Sequence, residues 1–264
     1  MTTHIAILQP FQSVCQVQLM KIESKKIPRV LLGTSPFIAA GQFGYRSYSY
    51  YEKFVVNPQN MVNLIAHVIR LGISGIQLIA YNSVSRAVNE AQTETGIDLA
   101  IVGTIPSEEL NEGLQRLKEL EAEIILLHGE VTDSLNFTLI EKWIRKIRSI
   151  GAIPGVAIHR TYPTLPRILE AKMDIPVIML PVNKIGAFMQ AKESTLATVE
   201  KAERFYIAKK PLAAGQLPPR EGLEFVLSHK GISAVAVGVA SIEEATETFN
   251  IAKQISQQEF TNTT

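Results

Sequence analysis

The chain has 264 residues, 46% of them hydrophobic, enough for one domain of moderate size around a substantial core. Its 26 basic and 25 acidic residues nearly cancel, which excludes the broad basic footprint of a nucleic-acid binder or of a protein drawn to anionic membranes. Cys15 is the only cysteine, so no internal disulfide forms, as suits a reducing, cytoplasmic setting.

No apolar run approaches the ~18–20 residues of a membrane span. Residues 1–19 lack the basic start and continuous apolar segment of a secretory signal. They read as an N-terminal extension, or as the product of an upstream start codon, poorly ordered unless paired. A single domain is expected over 20–264. The apolar stretches 16–22 and 27–32, joined by Ser24-Lys25-Lys26, predict a small hairpin that plugs the bottom of the fold and leads into the first strand.

Eight apolar bursts follow, at 30–33, 75–80, 99–103, 123–127, 153–158, 176–180, 205–208 and 234–238, with helical periodicity between them. Strand alternating with helix eight times in a chain of this length predicts an α/β fold, the (β/α)8 TIM barrel. The stretch from Phe37 to about Val56 is expected to be non-helical. Asn57-Pro58 reads as a helix start, with Met61, Ile65, Val68 and Leu71 as its buried stripe. Further on, Ser83, Ser107 and Asp133 or Ser134 are candidate helix caps, and Pro163 and Pro166 open a short fifth helix through Ala171. Helical periodicity returns at 192–203. Ser241-Ile242-Glu243-Glu244 reads as a capping box before a helix that turns Ala245, Phe249 and Ala252 inward.

In this fold chemistry sits at the C-terminal ends of the strands, and polar residues stand just beyond most bursts: Thr34, Tyr81, Thr104, His128, His159, Asn183 and Lys209. His128 and His159 end neighbouring strands, with Glu130 and Arg160 close by. An imidazole titrates near neutrality, so either can serve as general acid or base. Two imidazoles and a carboxylate also match a divalent-metal set, although no His-x-His spacing supports it, and no metal ligand is assigned. Lys209-Lys210-Pro211 ends strand seven. A lysine at the barrel mouth can be a Schiff-base nucleophile, an acid or a phosphate ligand. Alternation turns only one of the pair inward, and the sequence leaves open which. Gly215 after strand seven, with Gly238 and Ser241 after strand eight, occupies the usual phosphate position of barrel enzymes. The loop 37–54 carries seven of the eighteen aromatic residues. It reads as a lid or ligand wall, or as the contact surface of a homo-oligomer.

Taken together these stretches resemble the aldo-keto reductases. The segment Lys26-Ile27-Pro28-Arg29-Val30-Leu31-Leu32-Gly33-Thr34 is similar to that family's opening hairpin and first strand. The run from Leu71-Gly72-Ile73 to Glu90-Ala91 resembles its second unit, and Ile124-Ile125-Leu126-Leu127-His128 its fourth strand with the terminal histidine. Lys210-Pro211-Leu212-Ala213-Ala214-Gly215 and residues 235–244 resemble its last two units. The resemblance implies nicotinamide-dependent carbonyl reduction with NADP, His128 and Tyr81 handling the carbonyl oxygen, and Gly215, Gly238, Ser241 and Lys210 holding the cofactor. The chain departs from the family where its catalytic aspartate and lysine are expected, at Leu78-Ile79-Ala80 and Thr104-Ile105-Pro106. Other readings stand beside this one. A cofactor-independent lyase or isomerase would use Lys209 or Lys210 with His128 or His159 on a sugar-like or phosphorylated carbonyl compound. A non-catalytic relative would bind a small molecule or a partner through the aromatic loop.

Overall fold

The computed structural model describes residues 17–261, with side chains through 256. Of the expected extension, residues 1–16 lie outside the described residues, while Val17 is already buried and Leu19 begins the first strand. The hairpin pairs β1 (Leu19–Ile22) with β2 (Lys25–Pro28) in antiparallel register. Barrel strand β3 (Val30–Gly33) follows at once.

The rest of the chain alternates. After β3 come α1 (Arg46–Tyr50), a π-helical turn (Tyr51–Val56) and α2 (Gln59–Arg70), then β4 (Gly75–Ile79), α3 (Asn82–Thr95), β5 (Ala100–Ile105) and α4 (Leu110–Glu119). Next are β6 (Ile124–Leu127), the short α5 (Gly129–Asp133), α6 (Phe137–Ser149), β7 (Ile153–Ala157) and α7 (Thr161–Glu170). The chain ends in β8 (Val177–Pro181), α8 (Lys192–Lys201), β9 (Phe205–Lys209), α9 (Pro219–Leu227), β10 (Ile232–Gly238) and α10 (Ile242–Thr261). Strands β3 to β10 are parallel and close on themselves, β10 pairing with both β3 and β9. The expected (β/α)8 barrel is the fold.

Buried residues separate into two clusters, because alternate residues of a strand face opposite sides. Leu31, Val102, Leu126, Ala157, Met179, Ile207 and Ala236 pack inside the barrel. Val30, Leu32, Ile76, Ile101, Ile125, Val156, Ile178, Tyr206 and Val237 face the surrounding helices. Helix α6 shows how the outer layer is held: Ile140, Trp143, Ile144 and Ile147 form one buried stripe. Full burial of such a side chain contributes about 1.5–3 kcal/mol. Ile22 and Ile27 of the hairpin belong to the inner cluster, so the hairpin closes the barrel from below. Arg148 anchors it there, bonding Glu23 in the hairpin turn at 2.8 and 2.9 Å and Asp174 at 2.9 Å.

Several local expectations change. The stretch after β3 is largely helical: two 3-10 turns, Ser35–Ile38 and Gly41–Phe43, precede α1 and the π-helical turn. Its sequence hides this, because from Arg46 to Val56 only Phe54 is buried and no apolar stripe forms. Helix α6 is capped by Asn136, whose Oδ1 accepts the Leu139 N–H at 3.1 Å, not by Asp133 or Ser134. Tyr81 and Glu109 stand at the cap positions of α3 and α4 in place of Ser83 and Ser107. No helix among the described residues is long and apolar enough to cross a membrane.

Candidate active site

Where the inner register of the barrel runs out at its C-terminal end, polar side chains replace apolar ones. Gln77, Thr104, His128, His159 and Lys209 continue the inward positions of β4, β5, β6, β7 and β9. All five line a cavity of about 780 Å³ at the mouth. Gln77 and Thr104 are buried and paired, the Gln77 amide donating to Thr104 Oγ1 at 3.1 Å. Gln77 escaped the sequence reading. Its signal was a lone polar residue at an inward position of an apolar strand.

His128 and His159 meet edge to face, ring centroids 4.9 Å apart. His128 Nδ1 accepts the Glu130 N–H at 3.4 Å, which leaves its proton on Nε2 in the neutral ring. Burial holds the His128 pKa below its usual value against the opposing pull of Glu130. Burial, with Lys209 next in weight, lowers His159 to about 3. Both rings are therefore neutral at pH 7.

The seating of His159 depends on the residues around it. Its backbone N–H and that of Arg160 donate to Asp133 Oδ2 at 3.0 and 3.2 Å. Asp133 is buried, and its Oδ1 has no hydrogen-bond partner. The ring lies on the Cα of Gly129, where an added Cβ would come within 2.8 Å of three ring atoms. Gly129→Ala should therefore destabilise the fold by about 1–3 kcal/mol through overpacking, although alanine is the better helix former by about 1 kcal/mol. Thermal unfolding tests this; a variant more stable than the parent would mean that the ring has room to move.

Lys209 is the inward lysine, in register with Phe205 and Ile207. Its Nζ makes no hydrogen bond or ion pair with any described residue. Desolvation by burial, and then the charge of Lys210, drive its pKa well below the ordinary amine value, with Asp133 opposing. Lys210 follows the strand in left-handed conformation, φ 56°. Its Nζ sits 4.1 Å above the Phe188 ring, and burial brings its pKa down to about 8.

The loop after β3 supplies the outer wall. Phe43 and Tyr50 pack edge to face at 5.0 Å and line the cavity, while Phe37 and Phe54 stack beneath them at 4.9 Å. Tyr45, Tyr48 and Tyr51 are exposed. Arg46 reaches across the mouth to donate to the carbonyl of Ala214. Its guanidinium lies against Gly215, where a Cβ would meet Nη1 at 2.7 Å. That contact spans 168 positions, and nothing local in the sequence announces it.

The residues expected to act do not all converge. His128, His159, Lys209, Lys210, Gly215 and Gly238 line the cavity. Tyr81 does not: its hydroxyl donates to Glu108 Oε1 at 2.5 Å, and burial together with that bond raises its pKa far above a free phenol. Ser241 does not either. Its Oγ accepts the Glu244 N–H at 3.2 Å, while Glu244 takes the Ala240 N–H at 2.8 Å. The turn expected to bind phosphate is thus satisfied by its own side chains. Glu244 and Glu247 line the cavity beside it. Asn183 and Thr34 are spent on structure, Asn183 bracketing Ala187 and Thr34 Oγ1 accepting the Ile79 N–H. Among the described residues no three His, Cys, Asp or Glu side chains converge on one point.

No protein-family model matches the chain, and no curated protein matches it in sequence. Solved structures match its fold. A protein described as an aldo-keto reductase from Pseudomonas aeruginosa superposes with a TM-score of 0.65 at 17% identity, over 92% of this chain and 98% of that one. An aldo/keto reductase from Brucella melitensis gives 0.63 at 15% identity, over 92% and 99%. Ribulose-1,5-bisphosphate carboxylase/oxygenase from Pyrococcus horikoshii gives 0.53 at 11% identity, over 76% and 55%. The chain has the barrel of the aldo-keto reductases, and the third match shows the same scaffold carrying other chemistry.

Proposed function

We propose that this protein is a small-molecule enzyme acting on carbonyl compounds, with Lys209 as an amine nucleophile and the two histidines moving protons, in a lyase or isomerase reaction. The unpaired, desolvated amine of Lys209 at the centre of the mouth carries this reading. An amine attacks a carbonyl only when unprotonated, and burial shifts Lys209 toward that form. The nitrogen adds to the carbonyl carbon, a proton passes from nitrogen to the former carbonyl oxygen, and water leaves as the C=N bond forms. Neutral His128 donates a hydrogen bond from Nε2 to that oxygen, and neutral His159 is the proton acceptor. The imine then takes up a proton from solvent, and the protonated imine withdraws electrons from the neighbouring carbon, which permits proton removal or carbon–carbon cleavage there.

Reductive trapping tests this directly. Incubation with short aldehydes and ketones under borohydride should add to the protein the mass of the compound less one oxygen, with the modified peptide containing Lys209. Modification spread over surface lysines, or none at any pH, would remove the reading.

A second reading, nicotinamide-dependent carbonyl reduction, draws support from the fold shared with the aldo-keto reductases. The residues beside α10 do not fit such a cofactor's phosphates: the helix start is capped internally and flanked by Glu243, Glu244 and Glu247. NADPH and NADH are accordingly expected to leave the melting temperature unchanged up to millimolar concentration. A saturable rise would restore this reading, since a compound bound only by the folded state must stabilise it.

A further inference from the structure

The cations of the mouth outnumber what the protein itself neutralises on that side. Lys209, Lys210 and Arg160 line one wall, placed by β9 and by the end of β7. Asp133 is the acid whose charge reaches Lys209, but its Oδ2 already serves two backbone N–H groups. Arg160 uses one terminal nitrogen on the Asp133 carbonyl, at 2.6 Å. Its remaining N–H groups bond to no described residue. Lys210 rests on the face of Phe188, and none of its three donors meets an acceptor among the described residues. Both Lys210 and Phe188 hold left-handed backbone, φ 56° and 64°, a conformation that non-glycine residues rarely adopt. The carboxylates of the cavity, Glu244 and Glu247, belong to α10 beyond β10. The mouth is therefore polarised, with donors on the β7–β9 side that meet no acceptor among the described residues.

We infer that the substrate carries an oxyanion, a carboxylate or a phosphate ester, held by Arg160 and Lys210 while its carbonyl meets Lys209. An oxyanion accepts from the free guanidinium N–H groups and from the Lys210 ammonium, and such charge-assisted bonds are about twice as strong as neutral ones. It also balances the charge that otherwise opposes protonation of the imine on Lys209. The inference rests on the proposed role of Lys209 for the carbonyl but not for the oxyanion, so the two can be tested apart.

Trapping is compared for pyruvate, dihydroxyacetone phosphate and neutral dihydroxyacetone under borohydride. At least one of the two anionic compounds should be trapped about tenfold faster than the neutral one, and which of them leads identifies carboxylate or phosphate. The advantage should fall toward unity in an Arg160→Gln, Lys210→Gln double variant. Equal trapping of neutral and anionic compounds, or an advantage that survives the double variant, overturns the inference. If no compound is trapped, the reading of Lys209 fails, and the oxyanion site is judged on a Lys209→Met variant. Pyruvate or inorganic phosphate should then raise the melting temperature above a chloride control of equal ionic strength. The same rise should be absent when Arg160→Gln and Lys210→Gln are added. A Lys209→Met protein that neither anion stabilises overturns the inference.

Discussion

Replacing Lys209 by methionine is expected to abolish imine trapping and to lower turnover of the carbonyl substrate by about 10⁴-fold or more, the scale seen when a covalent nucleophile is removed. The same substitution should raise the melting temperature near neutral pH. Methionine keeps the length and apolar body of the side chain, while the amine it replaces is desolvated and meets no acceptor among the described residues. A side chain that serves only as a surface charge would give the opposite pair of results: activity retained and stability unmoved. Intact-protein mass after borohydride treatment and a thermal melt on one preparation decide between them.

The pH dependence of stability is the second large effect, and its sign follows from three groups. In the folded protein His159 titrates at about 3 against an ordinary value of 6.5, so between those values the unfolded chain binds the extra proton. Stability then rises with pH across that window and is lost as the solution is acidified. Lys209 and Lys210 act in the same sense at higher pH. Lys210 titrates at about 8 and Lys209 well below its ordinary 10.5, so the unfolded chain again holds more protons up to about pH 10. Each group contributes at most about 1.4 kcal/mol per pH unit, reduced by residual solvent contact at the mouth. Tyr206, raised to about 12 by burial, turns the trend over above pH 10. The melting temperature should thus climb from about pH 4 to 6.5 and again from about pH 8 toward pH 9.5, where many proteins have already passed their maximum. His159→Gln should flatten the acid limb and Lys209→Met the alkaline limb. A parent protein most stable near pH 6, declining steadily above it, would contradict the burial of these amines.

Much of this was legible in the sequence, and the parts that were not share a cause. The barrel itself follows from eight apolar bursts because a parallel strand buried on both faces reads as an unbroken hydrophobic run. The same property hides which residues look inward. Between Phe205 and Ala208 nothing distinguishes lumen from helix side, so the choice between Lys209 and Lys210 waits for packing to reveal that Phe205 and Ile207 face the lumen. His128 and His159 were visible as strand-end residues, but their edge-to-face contact arises only from the pairing of β6 with β7. Tyr81 had the right place along the chain. Glu108, a residue of the next loop, takes its hydroxyl away from the cavity. Arg46 was out of reach, since its meaning lies in a carbonyl on a loop far along the chain.

The hairpin under the barrel also governs traffic. With Ile22 and Ile27 filling the lower end, the lumen has a floor among the described residues, and the cavity opens at the end where Phe43 and Tyr50 stand. In the proposed reaction, water released as the C=N bond forms on Lys209 meets the hairpin floor below. It either leaves past the bound compound or stays as the hydrolytic reagent that later frees it.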